Sequence, residues 1–322
     1  MRMTLLKKLT APRCAALTLV AAATLMTGCV TNTEGGPANT NAAGASNLPV
    51  SDGGQPSDWV EIKPEKVEKI AALVPAEVAA DGKLTIGTNP PFAPAEFKDS
   101  EGNIIGFDID LARAVASIMG LELEIKELDF ALILPQIFGG TVELGASGFT
   151  DNEERRQSFD FVNYFNAGIQ WGSIPGTKVN PDDACGLTIA VQRTTVSDVE
   201  DVTVRSKKCE EAGKKPINKL AFDTSDAAAN AVILGRADAF SADSPVTAWA
   251  IARSEGRLTT VGEVFDSAHY GWPVKKDSPL APALAAALQH LVETGDYAKI
   301  MDQWGLGDGR ITEALINGKP VK

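Results

Sequence analysis

Two α/β lobes, each a mainly parallel sheet flanked by helices, are predicted by three features of the sequence. Strand-like and helix-like segments alternate from residue 83 onward, the alternation restarts after Pro175-Gly176, and residues 58 to 322 are enough for one or two large cores. In the first unit Lys83-Leu-Thr-Ile-Gly-Thr88 reads as a strand, and Leu121 to Lys126 alternates apolar and polar side chains with the period of a second. Between them, Asp108 to Met119 places Leu111, Val115, Ile118 and Met119 on one helical face, with Gly120 as its stop. Ala131 to Phe138 reads as a short helix ended by Gly139-Gly140, and Thr141 to Ser147 as a third strand.

The second unit repeats the order. Leu187 to Val191 is a strand, Ser197 to Glu211 a helix, and Lys219 to Phe222 a strand. The Ala-rich helix Ser225 to Leu234 leads to the strand Ala237 to Phe240, then to a helix over Ser244 to Ser254 and a closing strand over Leu258 to Val261. Pro279 to Trp304 is mainly helical. The expected boundaries are lobe one over 82–172, with 268–322 returning to it, and lobe two over 175–265. Residues 58–81 form an added helical segment, with Val67, Ile70, Ala71 and Val74 at helical spacing. Open α/β sheets bind ligands beyond the carboxyl ends of their strands, so the crevice between the lobes is the expected site.

The N-terminus carries Arg2, Lys7, Lys8 and Arg13 with no acidic residue, then an apolar run from Ala15 to Met26 and Thr27-Gly28-Cys29. The run is shorter than the ~20 residues that span a bilayer. Its charge and small-residue exit fit a signal peptide over 1–28. Gly28-Cys29 resembles the lipobox of bacterial lipoproteins, which implies cleavage before Cys29 and acylation of it by palmitate-like chains. Met26 departs from that pattern, where Leu, Val or Ile is usual, and an ordinary secretory signal containing a Cys is the alternative. Residues 29–57 are mostly Thr, Asn, Gly, Ala, Ser and Pro, the composition of a flexible tether.

The formal net charge is -12, and loss of a leader with four cations and no anion makes the remainder more acidic still. A nucleic-acid partner, which requires a basic footprint, is excluded on that ground. Of four cysteines, Cys14 leaves with the leader and Cys29 is the lipid site. Cys185 and Cys209 remain as a pair in an exported chain, for which a disulfide is the first reading. Neither has a His or a third Cys nearby, so no metal site is expected.

Several segments, in order, resemble the extracellular solute-binding proteins of family 3, the amino-acid receptors of ABC importers. They are Gly87-Thr-Asn-Pro-Pro-Phe-Ala-Pro-Ala-Glu-Phe97, Gly106-Phe-Asp-Ile-Asp-Leu111, Ser147-Gly-Phe-Thr-Asp-Asn-Glu-Glu-Arg155 with Phe159-Asp-Phe161, Arg236-Ala-Asp-Ala-Phe-Ser-Ala-Asp-Ser-Pro245, Tyr270-Gly271 and Asp302-Gln-Trp-Gly305. The resemblance covers about 82–306 and implies a two-lobed periplasmic-binding-protein-like fold of type II. It also implies a free amino acid as ligand and the permease and ATPase of an importer as partners. Such a protein is a monomer, needs no cofactor, and is held at the outer face of the membrane through Cys29.

An amino acid presents a carboxylate and an ammonium, and both must exchange water for protein partners. Arg155 offers a planar fork for the carboxylate, with backbone and hydroxyl donors at Gly148 and Thr150 ahead of an acidic helix. By resemblance these three hold the ligand from lobe one, Thr195 adds a backbone donor from lobe two, and Asp243 caps the amine. Each has a plainer alternative. Arg155 also fits an ion pair with Glu153 or Glu154, Asp243 and Thr150 fit helix N-caps, and Phe92 is either a wall for the ligand side chain or core. Asp108 and Asp110 read as helix-start residues.

Two departures bear on specificity. Asn89 stands where family members often carry Asp to meet polar or cationic side chains, so a neutral Asn removes the reason to expect a lysine or arginine ligand; Thr194 stands where they usually carry Gly, which bears on the loop around Thr195. Asn89, Gln192 and Ser147 together suggest a neutral polar ligand such as glutamine or asparagine, while Arg193 leaves an acidic one open. Two rival functions remain. One is a dehydratase-like enzyme, for which the sequence offers only His269 and His290 and no nucleophile-plus-base spacing, HExxH or phosphate loop, so no catalysis is expected. The other is a surface lipoprotein that senses or adheres.

Overall fold

The computed structural model describes residues 54–321. The expected leader, Cys29 and the tether as far as residue 53 lie outside the described residues. The helical spacing expected over 58–81 yields only two single turns, α1 (Glu68–Ala71) and α2 (Ala76–Ala79). Pro64 and Pro75 interrupt the pattern, since proline has no N–H to donate and drives the preceding residue out of helical conformation. Individual contacts pin the segment instead. Trp59 Nε1 donates to Asp110 Oδ2 at 2.7 Å, the Ser117 hydroxyl to the Pro64 carbonyl at 2.6 Å, and the Val67 N–H to the Ile118 carbonyl at 2.9 Å.

The first lobe follows the expected alternation. Strand β1 (Lys83–Thr88) leads through the small hairpin β2 (Phe97–Lys98) and β3 (Ile104–Ile105) into α3 (Phe107–Met119). That helix buries its apolar face completely and ends at Gly120, whose φ of +73° is the left-handed stop that a glycine takes without strain. Next come β4 (Glu122–Glu127), α4 (Phe130–Phe138) and β5 (Leu144–Gly145). β1 pairs in parallel with β4 on one side and β5 on the other. β5 is shorter than expected over 141–147, although single ladder bonds from the N–H groups of Glu143 and Ala146 to β1 extend its pairing.

Fifteen residues of β6 (Phe159–Ser173) then carry the chain into the second lobe. There β7 (Thr188–Gln192), α5 (Thr203–Glu211), β8 (Asn218–Phe222), α6 (Ser225–Ile233), β9 (Ala239–Asp243) and α7 (Ser244–Ala252) repeat the first arrangement. β7 pairs in parallel with β8 and β9. The helix expected over 197–211 is present, but Ser197–Val202 wind as a π-helix ahead of α5. The Cys185–Cys209 disulfide, with Cα atoms 5.6 Å apart, ties the loop before β7 to α5.

The expected closing strand ending at Val261 is corrected: β10 runs for 17 residues (Thr259–Lys275) and returns to the first lobe antiparallel to β6. Its exposed polar middle, around Glu263 and Asp266, breaks the alternation that marks a strand in sequence, and the ladder absorbs it through register shifts between Val261 and Phe265 and between Phe265 and Ala268. Helices α8 (Leu280–Thr294) and α9 (Asp296–Gln303) pack on α3, and the hairpin β11 (Leu315–Ile316) and β12 (Lys319–Pro320) adds to β6. The resulting sheet runs β4-β1-β5-β10-β6-β9-β7-β8, with three parallel strands at each end and two antiparallel strands crossing between the lobes. The carboxyl ends of β1 and β7 meet, because Gln192 Nε2 donates to Asn89 Oδ1 at 2.8 Å.

Candidate ligand-binding site

Every candidate ligand residue lies just beyond the carboxyl end of a strand or in the loop that follows. Asn89 and Phe92 follow β1; Ser147, Gly148, Thr150 and Arg155 follow β5; Gln192 and Thr195 end or follow β7; Asp243 ends β9. This is where the strand order of an open α/β sheet leaves a crevice.

The β5 loop depends on Gly148, whose φ is +56°. A Cβ there would sit 2.6 Å from the Phe92 ring and 3.1 Å from that of Tyr270, so only glycine admits the contact. Its N–H, expected to face a ligand, donates to Asp108 Oδ2 at 3.1 Å. Asp108 also accepts from Tyr164 Oη at 2.6 Å and Trp272 Nε1 at 2.7 Å, and Asp110 accepts from Trp59 and Trp304. Both stand in the first turn of α3 as expected, and their carboxylates also serve as acceptors for these aromatic donors. Burial pushes the Asp108 carboxyl up to about 6 despite those three donors.

The acidic helix expected after Thr150 is a single 3₁₀ turn over Arg155–Gln157, and Thr150 pairs with Tyr270 in an isolated bridge rather than capping it. Arg155 donates from Nη1 to the Thr150 carbonyl at 2.8 Å and from Nη2 to the Thr194 carbonyl of the other lobe at 3.4 Å. Its guanidinium carbon stands 5.4 Å from the Phe149 ring centre and 5.9 Å from that of Phe130, and these two rings stack 4.5 Å apart. Among the described residues Arg155 forms no ion pair. Burial lowers its pKa, while Asp243 and Glu200 act in the opposite sense. The N–H groups of Thr150 and Thr195 and the Thr150 hydroxyl have no acceptor among the described residues.

Asp243 occupies the N-cap position of α7, yet its side chain makes no capping bond. It accepts instead from Tyr270 Oη at 2.6 Å. Burial raises its carboxyl to about 6, against the Tyr270 bond and the field of Arg155.

Asn89 and Gln192 satisfy one another across the crevice. Asn89 Nδ2 donates to the Leu128 carbonyl at 2.8 Å, and Gln192 Oε1 accepts from Ser225 Oγ at 2.7 Å while its Nε2 also reaches the Asp223 carbonyl at 3.1 Å. A further cross-lobe bond joins Asn152 Nδ2 to Glu200 Oε1. Phe92 is buried against Gly148. A cavity of about 350 Å³ opens between the lobes, lined by Phe130, Leu134, Phe149 and Arg155 on one side and by Thr194 and Val199 on the other.

Thr194 keeps the loop geometry of a glycine. Its φ is +62°, a left-handed conformation that costs an L residue about 1–2 kcal/mol.

Sequence reasoning missed Glu96. Its side chain is fully buried, Oε1 accepts the Ser147 hydroxyl, and Oε2 has no hydrogen-bond partner. Burial, and secondarily the nearby Asp108, push its carboxyl well above the usual range. A lone acid in the otherwise uncharged run Phe92-Ala-Pro-Ala-Glu-Phe97 was the available signal. Phe130 was missed as well, and Tyr270 was noted only within the Tyr270-Gly271 resemblance, until the fold sets them beside Arg155 and Asp243.

The profile of the bacterial extracellular solute-binding proteins, family 3, matches residues 84–307. The arginine-binding protein ArgT of Corynebacterium glutamicum is 54% identical over 270 residues, covering 83% of this chain and 89% of that protein. An ancestral arginine-binding protein solved with arginine superposes with a TM-score of 0.64 at 32% identity, covering 69% of this chain and 98% of its own. The ancestral arginine-binding protein solved with glutamine gives 0.62 at 32% identity, covering 70% and 99%.

Proposed function

This chain belongs to the bacterial extracellular solute-binding proteins of family 3, and we propose that it is the arginine receptor of an ABC importer. The observation that carries the reading is the unpartnered Oε2 of Glu96, a buried carboxyl oxygen whose neighbour Oε1 accepts the Ser147 hydroxyl, in the stretch between the end of β1 and β2. A carboxylate without a counterion is expensive to bury, and a guanidinium supplies charge and two parallel donors together. The relatives named as arginine-binding proteins point the same way.

The ligand backbone has its own partners. Its carboxylate is taken by Arg155, the Thr150 N–H and hydroxyl, and the Thr195 N–H; its ammonium is taken by Asp243, oriented by Tyr270. Lobe one contributes Arg155, Thr150 and Glu96, lobe two Thr195 and Asp243. One ligand therefore draws both lobes together, and occupancy is coupled to closure. Closed and open forms then present different surfaces to the permease.

A glutamine-like ligand is the second reading, and the glutamine-bound ancestral structure favours it. Its sequence basis was the hydroxyl of Ser147, which donates to Glu96 Oε1, together with the pair of amides at Asn89 and Gln192. Both are engaged with one another and with Leu128, Asp223 and Ser225, which leaves little capacity for a ligand amide. Calorimetric titration decides between the two. Arginine is expected to bind at least tenfold more tightly than glutamine, and the reverse order would overturn the arginine assignment.

We also propose that acylated Cys29 anchors the protein to the membrane and that the stretch after it is the tether, ending short of the expected residue 57 because Gly54 lies against Phe97 and Pro56 is buried. Metabolic labelling with palmitate is expected to mark the wild-type chain and not Cys29→Ser; label retained in the variant contradicts the anchor.

A further inference from the structure

The lobe-two ligand loop, residues 192–198, contains a conformation its sequence does not favour. Thr194 is β-branched and sits at φ +62°, where such residues are rare unless their surroundings impose it. The group that imposes it is Asp198, whose carboxylate accepts the Thr194 N–H at 2.8 Å. The Asp198 N–H reaches back to the Thr195 carbonyl at 3.1 Å and its hydroxyl at 3.3 Å, and that hydroxyl donates to the Gln192 carbonyl at 2.8 Å. Asp198 is itself fixed from behind. Its second oxygen holds the Lys219 ammonium, Lys219 also donates to Thr203 Oγ1 at 2.7 Å, and Thr203 returns a bond to the Asp198 carbonyl at 2.7 Å. The Asp198 residue is only 7% exposed.

The outward side of the same loop faces the ligand residues. The Thr194 carbonyl accepts from Arg155, and the adjacent Thr195 N–H is unpaired among the described residues. We infer that Asp198, backed by Lys219, is the positioning residue of this loop: it holds Thr194 left-handed, and thereby keeps the Thr194 carbonyl on Arg155 and aims the Thr195 N–H into the crevice. Asp198 touches no ligand on this account and acts only through the turn. Glycine would take the turn unaided, whereas threonine needs the carboxylate. The inference rests on the crevice being the amino-acid site.

The test is a rescue. L-arginine is titrated calorimetrically into the exported chain as wild type, Asp198→Ala, Thr194→Gly and the double variant. Asp198→Ala is expected to weaken binding about tenfold or more with Thr194 present, and by less than about threefold with glycine at 194. A loss of the same size in both backgrounds, or no loss in either, overturns the inference. If Asp198→Ala gives no cooperative unfolding transition, Asp198→Asn enters the same comparison. A second readout is independent of ligand: exchange protection of the Thr194 amide, followed by NMR, is expected in wild type and lost in Asp198→Ala. Were wild type to bind no amino acid, the functional assignment would fail, and the exchange result alone would still uphold or overturn the role of Asp198.

Discussion

Replacing Glu96 by glutamine removes the ionisable group and almost no volume. In the ligand-free protein the change should be nearly neutral. The glutamine can keep the bond to Ser147, the second terminal atom is unpartnered before and after, and a carboxyl disfavoured by burial beside Asp108 is gone. Unfolding free energy should therefore stay within about 1 kcal/mol of wild type, the scale of one net hydrogen bond. Arginine binding should respond quite differently. Truncating one partner of a buried, hydrogen-bonded charge pair costs about 2–5 kcal/mol, and each 1.4 kcal/mol is roughly tenfold in Kd. Arginine affinity should thus fall by roughly thirtyfold to several thousandfold, while glutamine affinity changes by about 1 kcal/mol or less. Titration calorimetry with both ligands, alongside thermal unfolding of the ligand-free variant, separates these effects. Arginine affinity within threefold of wild type, or an equal loss for glutamine, would refute the placement of the guanidinium at Glu96.

Four further outcomes are expected. Arg155→Ala should weaken every amino-acid ligand by about 2–5 kcal/mol, since it removes the carboxylate partner rather than a side-chain contact; calorimetry showing selective loss of one ligand contradicts this. Lowering pH through about 6 should weaken binding, because the ligand ammonium needs Asp243 ionised and burial has raised that carboxyl to about 6. Proton release near pH 6, read as a buffer-dependent binding enthalpy, checks the sign. In the ligand-free protein Asp108 and Asp243 are both raised, so the stability they contribute is full below the unfolded carboxylate range and is lost as pH rises through about 6. Thermal unfolding should then occur at higher temperature at pH 5 than at pH 7.5. Finally, Cys185→Ser with Cys209→Ser should cost about 3 kcal/mol by loss of loop closure over their separation of 24 residues, with arginine affinity retained; denaturant titration measures the first and calorimetry the second.

Much of the architecture could be read from local pattern. Several elements of the two strand–helix units were legible because their pattern is local: α3 shows an apolar face and a glycine stop, and β1 and β7 are short, mostly apolar runs. The crossing strands were not legible. Nearly all of β6 is buried, which erases its period-two alternation, and β10 passes through an exposed polar stretch at its centre. The N-terminal segment misled in the opposite sense. Its apolar residues have helical spacing and do face the first lobe, but prolines hold most of it out of the helix.

For the site, residue chemistry identified groups that end beside one another, such as Arg155 and the Thr194–Thr195 turn. It could not show which polar groups spend their capacity on one another. Asn89 and Gln192 are 103 residues apart and form a cross-lobe bond, and Glu96 becomes conspicuous only when its second oxygen is found buried without a partner. Both facts bear on specificity, which depends on three-dimensional satisfaction of donors and acceptors more than on residue type.

The most direct test of the central claim is a thermal-shift panel of the twenty common L-amino acids against the exported chain, with dissociation constants measured for every ligand that shifts the transition. Arginine is expected to give the largest stabilisation, because a ligand that binds only the folded protein stabilises it by an amount that grows with the logarithm of its concentration relative to its dissociation constant. A panel in which no amino acid raises the transition, or in which any amino acid other than arginine raises it most, would contradict the assignment.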